Sequence, residues 1–224
     1  LVERIAKRLN AGASLALTCG AGQNIDRLVT LFRACCRAGR TLVVDLYTGY
    51  VLREMNAFSH HIPFPSPGYS RHLRVYYPRQ LCRRMRLHLE LGDILDEFNR
   101  YRVYPHNMIR YPQRYLVLVR DTMAVELARK MGESARAALF FYSFWRGYWQ
   151  ESGMVNLRAW VEEMQMQHTD AHTSGHAYPP DLRRLADALK PGRIIPVHTN
   201  APNLYKDCLT QPIQLAQDGI PIAI

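Results

Sequence analysis

"SLALTCGAGQNIDRLVTLFRACCRAGRTLVVDLY", residues 14–47, decides the fold. "SLALTC" (14–19) is a continuous apolar run of strand length, without the alternation of a strand that has one wet face, and "TLVVDLY" (41–47) reads as a second buried strand. Both therefore read as strands covered on both sides. Between them the glycine-containing turn "GAGQN" enters the helical stretch "IDRLVTLFRACCRAG", which Gly39 closes. A strand, a helix and a second buried strand make one βαβ unit, whose strands run parallel.

Outward from that unit the same alternation continues. Upstream, Leu1, Ile5 and Leu9 fall on one face of a short helix that Gly12 ends. Downstream, "LRVYY" (73–77), "RYLVLVR" (114–120) and "AALFFYSF" (137–144) read as strands. Helical stretches at 79–101 and 122–131 lie before and after the second of them. "NLRAWVEEM" and "PPDLRRLADAL" predict two more helices, and "RIIPVHT" (193–199) a last strand. The Pro-rich segment 58–70 reads as a surface excursion. Strands separated by helices predict an α/β fold with a doubly wound, mainly parallel sheet.

The totals narrow the function class. With 224 residues, 48% of them hydrophobic, the chain suits one large domain or one domain and part of another. Its 29 Lys and Arg, most of them Arg, exceed 19 Asp and Glu, for a formal charge of +10. Such an excess favours a polyanionic partner, nucleic acid first, although a merely basic surface has the same total. Five cysteines without a C-x-x-C pair indicate neither a disulfide framework nor a thiolate zinc site, and fit reduced thiols in the cytosol. No apolar run approaches the roughly 20 residues of a membrane span, and the amino end carries no signal segment. The expectation is a cytoplasmic protein with no membrane partner. Because the chain opens at Leu1 inside an amphipathic pattern, a preceding segment is also expected.

Three stretches invite chemistry. The turn "TCGAGQNIDR" has neither G-x-G-x-x-G nor G-x-x-x-x-G-K-[ST], which disfavours a nucleotide cofactor. Asn24 and Arg27, at a helix amino terminus, can still hold a phosphate, and suit equally a plain capped helix. "NRYRVYPHNMIRYPQRY" (99–115) interleaves arginines with tyrosines, the mix that a single nucleic-acid strand meets, or a solvated face over core tyrosines. "QHTDAHTSGHAYPPDL" (167–182) spaces His168, His172 and His176 by four. Thr169, Thr173, Ser174 and Gly175 oppose a helix there, so the stretch reads as a polar loop at the mouth of a site, with a helix starting near Tyr178. His198 ends the last strand, where its imidazole can converge with that loop. No H-x-H-x-D-H occurs in the chain, so most of a dinuclear zinc ligand set is not here.

"HTSGHA", followed by a helix and "KPGRIIPVHT", resembles the end of the β-CASP branch of the metallo-β-lactamase fold, the group containing ribonuclease J and the cleavage-and-polyadenylation endonuclease. "AGQNIDRLVTLFRACCRAGRTLVVDLYTGYVL" resembles the core of the β-CASP insertion, so the likeness covers essentially the whole chain. It implies a β-CASP domain over 1–166, and over 167–224 the histidine loop with the terminal helix and strand of a metallo-β-lactamase αββα fold. It also implies hydrolysis of RNA or DNA phosphodiesters by two zinc ions, of which at most one ligand, His198, is in this chain. By the same likeness His176 is the catalytic histidine near the scissile phosphate, and His172, Ser174 and Gly175 contact phosphate beside it; Asn24 and Arg27 are expected to bind phosphate from their place at the helix amino terminus and the basic charge. Ala21 departs from the serine that relatives often carry there. The expected partners are nucleic acid, single-stranded RNA before others, a metallo-β-lactamase half supplied in cis or in trans, and a second copy of the chain. Alone, the chain is expected to be inactive. Two alternatives are a metal-free nucleic-acid-binding relative and a non-nucleolytic hydrolase on the same fold.

Overall fold

The apolar runs of the sequence become the middle of a parallel sheet in the computed structural model, which describes residues 1–12, 14–173, 177–197 and 199–222. The chain enters through α1 (Val2–Ala11) and β1 (Ala16–Cys19), turns into α2 (Ile25–Arg37), and returns as β2 (Thr41–Asp45). It continues through α3 (Leu46–Phe58), β3 (Leu73–Tyr76), α4 (Arg79–Met85), α5 (Leu89–Asn99) and α6 (Pro105–Arg110). Then follow β4 (Tyr115–Val119), α7 (Asp121–Met131), β5 (Leu139–Tyr142), α8 (Val155–Glu163) and β6 (Gln167–Asp170). The last helices are α9 (Pro179–Leu189) and α10 (Tyr205–Cys208). No helix among the described residues is long and apolar enough to cross a membrane.

The six strands lie in the order β3-β2-β4-β1-β5-β6, every adjacent pair parallel. The chain thus begins near the centre, winds out to one edge, and returns through β4 to wind out to the other. This is the doubly wound arrangement that the alternation predicts. Period-two side chains then separate the two cores. Ala16, Leu42, Leu116 and Phe141 pack with Ile5, Leu9, Leu28 and Leu31 of α1 and α2. Leu17, Val43, Val117 and Phe140 pack with Met123, Leu127, Leu157 and Trp160 of α7 and α8. A third cluster, including Val75, Ile94, Phe98 and Tyr101, sits between β3 and α5.

One buried cation helps to close the amino end. Arg40 is 3% exposed and donates to the carbonyls of Leu9 (2.6 Å) and Ser14 (3.0 Å). Leu9 lies in the last turn of α1, where outward carbonyls and the helix dipole offer a cation partial negative charge. Burial still lowers the Arg40 pKa below its ordinary value.

Two expectations change. Gln167–Asp170, read as loop, is the sixth strand, because its backbone finds the free edge of β5 in the register Phe140↔His168. Among the described residues of 193–199 the expected strand is not formed: Ile194 makes one parallel bridge, to Ile213. Its apolar residues satisfy the strand pattern, but a strand needs a partner along its length, and Pro196 has no N–H to donate. The chain divides into two compact units, Leu1–Thr173 and Ser174–Ile224.

Candidate nucleic-acid interface

In a doubly wound sheet, ligands meet the carboxyl ends of the strands where successive connections leave in opposite directions. Here β1 leads toward β2 on one side and β4 toward β5 on the other, so the turns after β1 and β4 flank that point. Between them lies a network built on one acid. Asp45, wholly buried, caps α3 by accepting from the Thr48 N–H (3.1 Å) and hydroxyl (2.8 Å), and holds the Arg120 guanidinium at 2.7 Å. Arg120 also donates to the Thr48 hydroxyl (2.7 Å) and lies 5.2 Å from the Tyr47 ring centre. Tyr47 Oη accepts from Gln23 in the glycine turn. The turn can come this close only because residue 22 is glycine, since a Cβ there would strike the Arg120 guanidinium and the Thr48 hydroxyl.

Asn24 is exposed and caps α2, its side chain accepting from the Arg27 N–H at 3.0 Å. This is the capped-helix arrangement. Arg27 is 7% exposed and turns toward the histidine segment, donating to the Ala171 carbonyl and to the Thr173 hydroxyl (2.6 Å). Burial, and then the charge of Arg4, lower its pKa. Its guanidinium thus fastens the end of β6 to the start of α2. His172 follows on that fastened strand end, half-buried, with Nδ1 3.4 Å from the Ser143 carbonyl. Ser143 in turn donates to the Ala171 carbonyl at 3.1 Å. Asn24, Arg27 and His172 therefore meet at one edge of the first unit. Ser174, Gly175, His176 and His198 lie outside the described residues.

The arginine–tyrosine stretch folds largely upon itself. Tyr101 is 6% exposed, and the guanidiniums of Arg110 and Arg114 lie 5.3 and 5.5 Å from the Tyr111 ring centre. Arg102 sits 4.6 Å from the Tyr77 ring and 4.4 Å from the Tyr104 ring. The less committed charge lies on α4, which the sequence reading passed over. Recesses that share Arg79, Arg83 and Glu126 run along this helix, one of them lined by Arg86, Arg102 and Lys130. A further recess, sharing Glu126, joins Arg84 to Arg120 and Asp45. Glu126, the acid among these lining residues, is taken: it accepts from Tyr76 (2.8 Å), from the Arg79 N–H (2.9 Å) and from Lys130. These partners outweigh its burial and hold its pKa below the usual carboxylate range. Among the described residues, the side chains of Arg79, Arg83, Arg84 and Arg86 make no ion pair. Like charges held side by side repel, and a chain of phosphates relieves that repulsion. The signal was present as "RQLCRRMR", read for its helical content alone.

Metal chemistry is a separate matter. Among the described residues no three His, Cys, Asp or Glu side chains gather as a metal ion requires. They do not fit a zinc centre by themselves.

Comparison with known proteins completes the picture. Residues 161–206, from the end of α8 through β6 and α9, match the RMMBL family, the Zn-dependent metallo-hydrolase RNA specificity domain. That segment is therefore similar to the RNA specificity domain of Zn-dependent metallo-hydrolases. The match agrees with the resemblance to β-CASP and metallo-β-lactamase-fold proteins drawn from "HTSGHA" and "PVHT". A crystal structure of a protein of unknown function from Enterococcus faecalis V583 has the same fold, with a TM-score of 0.65 at 15% identity over 98% of this chain. The 224-residue chain spans only 44% of that protein. No curated protein matches it in sequence.

Proposed function

We propose that this chain is the RNA-holding part of a zinc-dependent phosphodiesterase, and that RNA meets it along the carboxyl edge of the sheet and the arginines of α4. The observation that carries the reading is the match of residues 161–206 to an RNA specificity domain. The +10 charge and the arginines that line the recesses along α4 support it. RNA is favoured over DNA because the matched family's description names RNA, and a single strand because the arginine–tyrosine stretch 99–115 has the mix that such a strand meets. By resemblance, His172, Ser174 and Gly175 contact phosphate, His176 acts at the scissile phosphate, and His198 is a zinc ligand. No H-x-H-x-D-H occurs in these 224 residues, and on this reading a metallo-β-lactamase half supplies the other ligands in cis or in trans.

For the chain by itself the reading is binding without hydrolysis, because the H-x-H-x-D-H half of the site that the resemblance implies does not occur in it. The test is a salt titration of the 224-residue chain with a fluorescent single-stranded RNA. For about four neutralised phosphates the logarithm of affinity should fall against the logarithm of salt with a slope near −3. The same sample should hold less than one equivalent of zinc and leave the RNA intact. An affinity that does not change with salt would sink the electrostatic reading, and cleavage by the metal-free chain would sink the division of labour.

A further inference from the structure

A second site lies at the other end of the sheet, away from α4. After β5 the chain makes a short excursion, "FWRGYWQ" (144–150), rich in rings. It leaves Trp145 60% and Tyr148 46% exposed. Trp145 folds over Gly147, where any Cβ would overlap the indole, so the glycine shapes this excursion. The excursion then brings Trp149 back against β5 and β6, its ring centre 5.0 Å from that of Tyr142 and 5.1 Å from that of His168.

β6 supplies the rest. His168 and Asp170, two residues apart on one strand, point to the same face. With Tyr142, Arg146 and Trp149 they line a recess of about 290 Å³. That is the small end of the range for ligand cavities, room for one ring system rather than an extended molecule. Its floor is aromatic and its rim is polar. Arg146 pairs with Asp170, but the Arg146 side chain is 82% exposed and its remaining donors face solvent. Burial pulls the His168 pKa down, so at neutral pH the imidazole is uncharged and offers one donor and one acceptor. The Tyr142 hydroxyl, pushed up to about 12, chiefly by burial, stays protonated.

An aliphatic or lipid occupant uses the floor and wastes the rim; a bare phosphate uses Arg146 and wastes the rings. A nucleobase with its phosphate uses both, because every base has a π-face and a polar edge. We propose that the recess between residues 144–150 and β6 is a nucleobase subsite for single-stranded RNA. The base stacks on Trp149 and His168, its edge meets Asp170 and the imidazole, and Arg146 takes the adjacent phosphate. The proposal rests on the RNA-binding reading and adds a place where bases, not phosphates alone, are held. Asp170 also precedes Ala171 and His172 directly, so a base held here lies beside the strand end that carries the histidine segment.

Tryptophan emission tests it on the full chain, because Trp160 is buried in the core, Trp149 lines the recess and Trp145 lies in the same excursion. An RNA decamer and a purine mononucleotide should both change the emission, and inorganic tripolyphosphate should not. Trp149→Ala should weaken decamer binding by about 5- to 150-fold, the range for loss of one stacked base, while Trp149→Phe keeps most of it. Should Trp149→Ala disturb folding, the double variant Arg146→Ala/His168→Ala, at two exposed positions, serves instead, with an unchanged melting temperature as control. Decamer binding that neither Trp149→Ala nor the double variant alters would overturn the subsite and leave the RNA-binding reading in place. A mononucleotide response without decamer binding would support the subsite and remove the RNA reading. A chain whose emission responds to neither has no such subsite.

Discussion

In Leu1–Thr173 the sheet is packed on both faces, and residues such as Leu31, Leu42, Leu116 and Phe140 are fully buried. In Ser174–Ile224 the buried hydrophobic residues among those described are Ala186 and Leu209, while Leu185, Leu189, Val197 and Leu204 are each more than half exposed. Both segments carry apolar side chains at regular spacing. The difference is that the first contains the partners for its own apolar faces and the second does not. Apolar patterning therefore records that a face is to be covered, without recording by what. The first unit has what independent stability requires; the second has the composition of a part that is completed from outside itself.

Amide hydrogen exchange is the strongest way to break that comparison. Amides of Leu116–Leu118, in the middle of the sheet, should exchange at least about 10³-fold more slowly than those of residues 194–197, since central strands open only with the whole domain. Equal protection in a monomer would overturn it. Core truncation comes next. Phe141→Ala should cost about 3–5 kcal/mol in urea unfolding, and Leu189→Ala less than about 0.5 kcal/mol. A comparable loss at Leu189 would show that its helix is covered after all.

A glycine pair sharpens the same contrast on a smaller scale. Gly22→Ala should cost about 1–3 kcal/mol, because the new methyl meets a guanidinium and a hydroxyl that Asp45 holds in place. Gly192→Ala, with open space around it, should be neutral within about 0.5 kcal/mol. The smallest effect is a pH slope. The His168 pKa is lowered in the folded protein, so the unfolded chain takes up this proton first as pH falls. The stability it contributes is present above about pH 6.5 and is lost as pH falls through that value toward the lower folded pKa. Melting temperatures between pH 7.5 and 5 should therefore fall less steeply in His168→Gln than in the parent, and parallel slopes would remove the assignment.

The central strands were legible because both their faces are covered, which leaves an unbroken apolar run in "SLALTC" and "RYLVLVR". β6 was not. "QHTD" has no apolar residue, and what makes it a strand is the free edge of β5, a fact of tertiary structure. α3 was hidden for a different reason: its first residues, Leu46 and Tyr47, extend the apolar run of β2 without a break. The sign of the boundary was Asp45 three residues before Thr48, a helix cap inside the run. At the interface the capping role of Asn24 was among the readings of the turn. The inward turn of Arg27 toward Thr173 was not, because the two are 146 residues apart. The histidines that carried the family likeness were legible as a motif, and of the five positions assigned with them only His172 is among the described residues.

The two rims of the sheet bear on how the protein behaves when concentrated. Beyond β3, the backbone of Tyr101–Val103 occupies the open ladder, with the Val75 N–H donating to Tyr101 (3.0 Å) and the Val103 N–H to Val75 (2.8 Å). Beyond β5, the strand "LFFY", buried along its length, is screened by the polar β6, whose first two residues are exposed and last two half-buried. β6 is thus a gatekeeper: four residues unattractive to another chain stand in front of four that would recruit one. A fragment ending after residue 166 strips that guard and presents "LFFY" as an open template for fibrous stacking, whereas one ending after residue 173 stays dispersed.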